Sequence, residues 1–318
     1  MKKLLFILPL LLSIAFAKNI TPTFTLKSVG FISDFTIDKN IIYVANDMGT
    51  IDIFDLDKKK MINQIFLPLV TTARNRLESA RIISVDYLNG KVLILSIGDS
   101  GYRNMWIYEK NELKLIIDES KKLTIKEARF IDDEKIIFGT FGSEIILHDK
   151  KEKYNIYKSH ISFSSLSDIQ LNSSKDTMVT ADESGAIKVI DVKTSKIKNV
   201  YESQNVDRVY NVAYSNGVII TAGQDRRIAV YQKNIADYHI KSDFLVFCVG
   251  LSPSGKIGAY SSGEDSDIQL FNTKTKSNIV RLIGHKSVIS RIIFIDEDRL
   301  FSAGSKNNLY FWDLKDSH

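Results

Sequence analysis

The sequence predicts an all-β protein, a ring of seven four-stranded sheets forming a seven-bladed β-propeller. Three observations carry this. First, six apolar–polar pairs recur at near-constant spacing: Tyr108-Glu109, His148-Asp149, Ile190-Asp191, Tyr231-Gln232, Phe271-Asn272 and Trp312-Asp313. Their intervals are 40, 42, 41, 40 and 41 residues, and Phe54-Asp55 precedes the first by 54. A period of roughly 40–45 residues matches one four-stranded blade. Second, each period holds short β-branched runs of alternating polarity between Gly, Asp, Ser and Lys turns, the pattern of half-buried strands. Third, the last period ends one strand short, and a spare strand-like segment stands at the other end of the chain.

Taken in order, residues 1–17 read as an export leader. Lys2 and Lys3 precede the apolar run Leu4–Phe16, and Ala15-Phe16-Ala17 forms an A-x-A cleavage signal before Lys18. The run is shorter than the roughly 20 residues that a spanning helix needs; a retained anchor is the alternative. The protein is therefore expected in the periplasm, without stable membrane insertion after cleavage, with residues 18–318 forming the propeller. First strands are expected to begin near Phe31, Arg81, Thr124, Ser165, Asp207, Leu245 and Ser287. Third strands should end at the seven paired residues from Phe54 to Trp312. Only Leu314–His318 follows the last of these, so Thr21–Lys27 is expected to complete the last blade. That closure would leave no unpaired sheet edge to invite aggregation.

Charge and cysteine usage exclude several classes of function. Without Lys2 and Lys3 the balance is 41 bases against 38 acids, interleaved along the turns, which does not suggest nucleic acid. The single cysteine, Cys248, lies in an apolar run and has no partner for an internal disulfide. There is no G-x-S-x-G elbow, H-E-x-x-H pair, P-loop or EF-hand calcium loop. No cofactor, metal or catalytic residue is expected. A hydrolase or lyase with carboxylates in the central channel stays open as an alternative, with Glu127 and Asp207 the acids nearest channel-facing strand starts. His160 and His285 fall at blade junctions, His148 replaces a third-strand aromatic, and the acid runs Asp132–Glu134 and Asp296–Asp298 read as solvated turns.

The last repeat carries Gly284-His285, Ser302-Ala303-Gly304 and Trp312-Asp313, supported by Thr221–Asp225 and the turn Ser252–Lys256. On these residues the chain resembles the WD-repeat family over nearly its whole length. The resemblance implies a hydrogen-bonded set within a blade, assigned here to His285, Ser302 and Trp312, with turn acids at Asp225 and Asp265. Lys306 stands where the last blade's turn acid would fall, so most blades are expected to be held by apolar packing. Leader, length and composition further resemble the WD-repeat accessory proteins of periplasmic nitrate reductase systems. That resemblance implies a monomeric, non-enzymatic scaffold whose partner is a periplasmic protein, with nitrate reductase subunits the named candidates. A cell-envelope assembly factor is the other alternative.

The 54-residue interval marks where the repeat breaks. Leu67–Ala80 lengthens the link from blade one to blade two, and Gly98–Asn104 lengthens a turn within blade two. In such propellers both kinds of link emerge on one face, so the two insertions should lie side by side. They hold Arg74, Arg76, Glu78, Arg81, Tyr102 and Arg103, a set suited to bidentate recognition of carboxylates on a partner. A solvated loop that merely caps the sheet is the plain alternative. The composition of Thr71–Ala80 also admits a short helical turn.

Overall fold

The computed structural model describes residues 18–71, 75–98 and 101–317. The expected leader, 1–17, lies outside the described residues. Those described form seven antiparallel sheets, each running from an inner first strand to an outer fourth strand. First strands span Ile32–Asp38, Ile82–Leu88, Ile125–Phe130, Leu166–Leu171, Val209–Ser215, Val249–Leu251 and Ile289–Phe294. Third strands end at Asp55, Glu109, Asp149, Asp191, Gln232, Asn272 and Asp313, the polar members of the recurring pairs. The first strand of blade six begins four residues later than Leu245 suggests; just before it, the Phe247 and Cys248 amides donate to Ser261 Oγ and the Ser261 amide donates to the Cys248 carbonyl.

Phe24–Lys27 pairs antiparallel with Asn308–Asp313 as the fourth strand of blade seven, with Leu26 opposite Leu309. The ring is thus closed by both ends of the chain. A second closure was not foreseen: Lys18–Ile20 adds a fifth, parallel strand to the outer edge of blade six, opposite Val280–Leu282. Blade six consequently has its outer backbone groups covered over that stretch.

Apolar side chains concentrate between the sheets. Each of seven hydrophobic clusters joins one blade to the next around the ring. One example is Ala45, Ile51 and Ile53 of blade one against Ile82, Val85 and Ile94 of blade two. Another joins Ala303 and Phe311 of blade seven to Ile32 and Phe35 of blade one. Facing sheets need close approach near the axis. At Gly250 an added Cβ would lie 3.1 Å from the Ile292 carbonyl oxygen, so a larger residue would push blades six and seven apart. Stability is therefore built from neighbour contacts repeated around a closed ring.

Candidate interaction face and channel

Antiparallel succession puts the turns between first and second strands, and between third and fourth, at one rim of the disc. The turns between second and third strands and the blade-to-blade links then occupy the other. The two faces differ sharply in chemistry. Large hydrophobic residues are exposed on the link face at Val29, Phe31, Met48, Leu69, Phe141 and Phe163, and also at Leu77, Val206 and Val288. Phe163 is fully exposed. The remaining exposed hydrophobics among the described residues lie on fourth strands, such as Ile62, Ile197 and Ile279. The opposite turns carry none. They are polar runs such as Asp132–Glu134 and Lys274–Lys276. Clustered exposed aromatic and aliphatic residues on one face mark a surface suited to protein contact.

The inserted link between blades one and two lies on this face. Its two arms pair antiparallel, Val70 opposite Glu78 and Thr71 opposite Leu77, and among the described residues of the link there is no helical turn. Val70 packs into the cluster between blades one and two, which pins the start of the link and lets the chain pair locally. Pro68–Thr71 shares a cavity of about 330 Å³ with Asn104, Trp106 and Glu119, so the two insertions do meet beside blade two. The proposed binding residues divide, however. Arg76, Glu78 and Arg81 are exposed, whereas Arg74 lies outside the described residues. Tyr102 is half-buried, and its carbonyl accepts from the Gly98 amide. Arg103 turns away toward blade three: its Nε donates to the Ile125 carbonyl at 3.1 Å, and its guanidinium lies over the Phe141 ring. It also donates to the Gly101 carbonyl. Arg103 braces a turn instead of presenting a free fork.

The blade anchors are more numerous than the sequence motif. In blade seven, Trp312 Nε1 donates to Ser302 Oγ at 2.7 Å, and His285 Nε2 lies 2.6 Å from the same oxygen. Burial pushes the His285 imidazole down to about 4, so it is neutral at pH 7. In blade five the same place is taken by Asn205. Thr221 Oγ1 donates to Asn205 Oδ1, Asn205 Nδ2 donates to Asp225, and the Val206 amide donates to the same carboxylate. Blade one uses Ser28, Asn46 and Asp52, with Ser28 Oγ donating to Asp52 at 2.7 Å. Blade four uses Ser162, Asp182 and Lys188. The expectation that most blades rely on apolar packing alone is therefore corrected. Asp265 is corrected too: it is exposed, and the buried acid of blade six is Asp267, paired with Arg281 at 2.8 Å.

At the axis the structure reveals a convergent polar ring that the repeats conceal. The position just before the first strand's second inward aliphatic residue is occupied by Asp34, Ser84, Glu127, Asp168, Asn211, Cys248 and Arg291, one per blade. Side chains of one blade accept backbone amides of the next. Asp34 accepts from Val85, Glu127 from Ile169, Asp168 from Val212, and Asn211 from Val249. Arg129 pairs with Glu127 on its own strand, contacts Asp34 of blade one at 3.6 Å, and donates to Ser84 Oγ of blade two. Arg291 places Nε 3.3 Å from Asp34. Glu127 and Asp168 hydrogen-bond each other, a contact that favours the charged form of Glu127 and the protonated form of Asp168. Burial, then the neighbouring Glu127 charge, holds Asp168 well above the usual carboxylate range. Burial opposes ionisation of Glu127, but Arg129 and Arg291 prevail and hold it below its ordinary value. Cys248 is fully buried and its thiol is pushed up to about 12 by burial, which makes it inert.

Glu127 therefore does face the channel, but Asp207 does not: it is exposed on the link face and accepts from the Arg208 amide. Two carboxyls in mutual hydrogen-bond contact are too close to flank a scissile glycosidic bond, which needs about 5 Å or more between them. The carboxylates here tie blades together. Among the described residues, no group of three or more His, Cys, Asp or Glu is arranged to hold a metal, and no helix is long and apolar enough to cross a membrane.

With the geometry in hand, the likeness to known proteins can be stated. The β-propeller domain of Cps50 (Swd1) from Myceliophteria thermophila superposes with a TM-score of 0.72, covering 92% of this chain and 98% of that domain, at 14% identity. The fold is a WD40-like seven-bladed propeller. In sequence, the chain is 23% identical over 151 residues to the E3 ubiquitin-protein ligase COP1 of Arabidopsis thaliana. It is 26% identical over 150 residues to that of Pisum sativum. These matches span 45% and 44% of this chain but only 22% of each ligase. No family profile matches.

Proposed function

We propose that this WD40-like propeller is a non-catalytic scaffold, exported to the periplasm, that docks a partner protein on its link face. The observation that supports this is the partition of exposed hydrophobics, which places Phe31, Phe141 and Phe163 on one face and only polar turns on the other. A rigid ring suits the task because a preorganised face loses little conformational entropy on binding. The resemblance of the leader, length and composition to accessory proteins of periplasmic nitrate reductase systems makes the reductase subunits the first partner to test. Their assembly or maturation is the role this reading assigns.

Affinity capture from periplasmic extracts of nitrate-respiring cells tests it. Wild type should recover reductase subunits; the double variant Phe31→Asp/Phe163→Asp should lose them, and Ile197→Asp on a fourth strand should keep them. Recovery unaffected by the double variant would remove the link face from the proposal. Recovery of envelope-assembly components in place of the reductase would favour the other partner class. Amino-terminal sequencing of the exported protein should begin at Lys18.

A further inference from the structure

The link face is not uniformly charged. Among the described residues, its exposed bases on one side are Arg76 and Arg81 on the link between blades one and two, Lys121 and Lys122 on the next link, Lys27 at the end of the closing strand, Lys286 before blade seven, and Lys306 within it. Its exposed acids are Glu183 in blade four, Glu202 and Asp207 on the following link, Asp243 before blade six, and Glu264 and Asp265 within it. Among the described residues, Glu78 is the exposed acid among the bases, and Arg226 and Lys241 are the exposed bases among the acids. The acids thus centre on blade five. In a ring of seven, blade five stands directly across from the junction of blades one and two, where the bases centre. The diameter dividing the two arcs ends near Phe141 and Phe163 on one side, and near Val288 and Phe31 on the other.

Such a face is complementary to itself. A two-fold axis along that diameter lays the basic arc of one disc on the acidic arc of a second, and the acidic arc on the basic one. Both exchanges are satisfied by one rotation, as an isologous interface requires. The apolar residues then lie on or beside the axis, where each meets its own copy, so the hydrophobic centre and the charged rim fall where stable interfaces have them. A dissimilar partner would need no such diametric symmetry. We infer that, in the absence of its partner, the link face is covered by a second copy of this chain in a face-to-face dimer. The inference departs from the monomer expected from sequence, and it rests on the link face being a docking face.

Charge exchange supplies a direct test. Wild type from Lys18 onward should sediment as a dimer at low salt and shift toward monomer as salt rises, because the rim pairs are solvent-exposed. The base-reversed variant R81E/K121E/K122E and the acid-reversed variant E202K/D243K/E264K should each be monomeric when alone. Mixed, they should form a one-to-one heterodimer at least tenfold tighter than either self-associates. All six positions are exposed, and circular dichroism should report unaltered folding. A monomeric wild type, or a mixture of the two variants that stays monomeric, overturns the dimer. Partner capture sensitive to Phe163→Asp would survive that outcome, so the dimer and the docking face fail separately.

Discussion

Glu127 and Asp168 share a hydrogen bond across the boundary between blades three and four, and their titrations are driven apart by it. Asp168 is the member whose protonated form is favoured, facing Glu127, Asn211 and the Val212 amide, with Arg291 nearby. Because its folded pKa lies above the unfolded value, the native state binds the extra proton as pH climbs past the ordinary carboxylate range. Stability from this group is therefore lost as pH rises toward the folded pKa. Asn at position 168 reproduces the neutral acid, accepting from Val212 and donating to Glu127. Asp168→Asn should keep the fold and show a shallower decline in stability as pH rises above the ordinary carboxylate range, read by urea unfolding across pH. A steeper decline than wild type would contradict the raised Asp168 carboxyl.

Glu127→Gln should behave differently although it is equally conservative in shape. It removes the anion that faces Arg129 and leaves a buried guanidinium short of charge. Breaking a buried pair in this way typically costs about 3–5 kcal/mol, so a large fall in the urea midpoint is expected. Arg129→Ala should cost a similar amount, since Glu127 and Asp34 would both lose a cation. The double variant should cost less than the sum of the singles, because the two residues act on one another.

How much of this was legible in the sequence follows from what repeats and what does not. Third-strand ends were readable because each blade must turn at the same depth, which enforces an apolar–polar pair near Phe54 through Trp312. Ring closure was readable because a missing strand leaves an edge that some segment must fill. The channel ring was concealed because its seven positions hold six different residue types, matched in charge across blades instead of within a repeat. A signal did exist: Ile32-x-Asp34, Ile125-x-Glu127, Leu166-x-Asp168, Val209-x-Asn211 and Ile289-x-Arg291 all place a polar residue inside an apolar strand start. The bond from Arg103 to the Ile125 carbonyl is not legible in sequence, which shows the residue type but not its neighbour in the next blade. The blade-five anchor was missed because Asn205 stands where a histidine was sought.

His285 should make the fold acid-sensitive. Its imidazole is pushed down to about 4 by burial, against an ordinary 6.5. The unfolded chain therefore binds a proton that the native state refuses across that window, and stability falls as pH drops from 6.5 toward 4. The full effect is on the order of 3 kcal/mol. His285→Gln should flatten this limb of the stability profile while lowering stability at pH 7, as measured by thermal unfolding between pH 4 and 8.

The Ser302 hydroxyl is the common partner of His285 and Trp312. Ser302→Ala would leave two buried ring nitrogens without it, at about 1–3 kcal/mol for each unsatisfied group. Trp312→Phe removes one donor while keeping most of the apolar volume, so its cost should be the smaller of the two. Equal stability of Ser302→Ala and wild type in urea would show that the anchor contributes no net stability to blade seven.

Removing the closing strand tests whether the ring is locked by its ends. A chain starting after Lys27 would lose Phe24, which stacks on Phe311 at 4.6 Å, and Leu26, buried opposite Leu309. It would also lose the Lys18–Ile20 cover on blade six. The third-strand edge of blade seven and the fourth-strand edge of blade six would then stand open, and unpaired edges recruit one another. The truncated chain should aggregate on expression or refolding, as followed by light scattering. Adding residues 18–27 as a separate peptide should restore solubility by filling both edges. If the truncated chain is soluble and unfolds at the wild-type midpoint, blade-to-blade packing alone closes the ring.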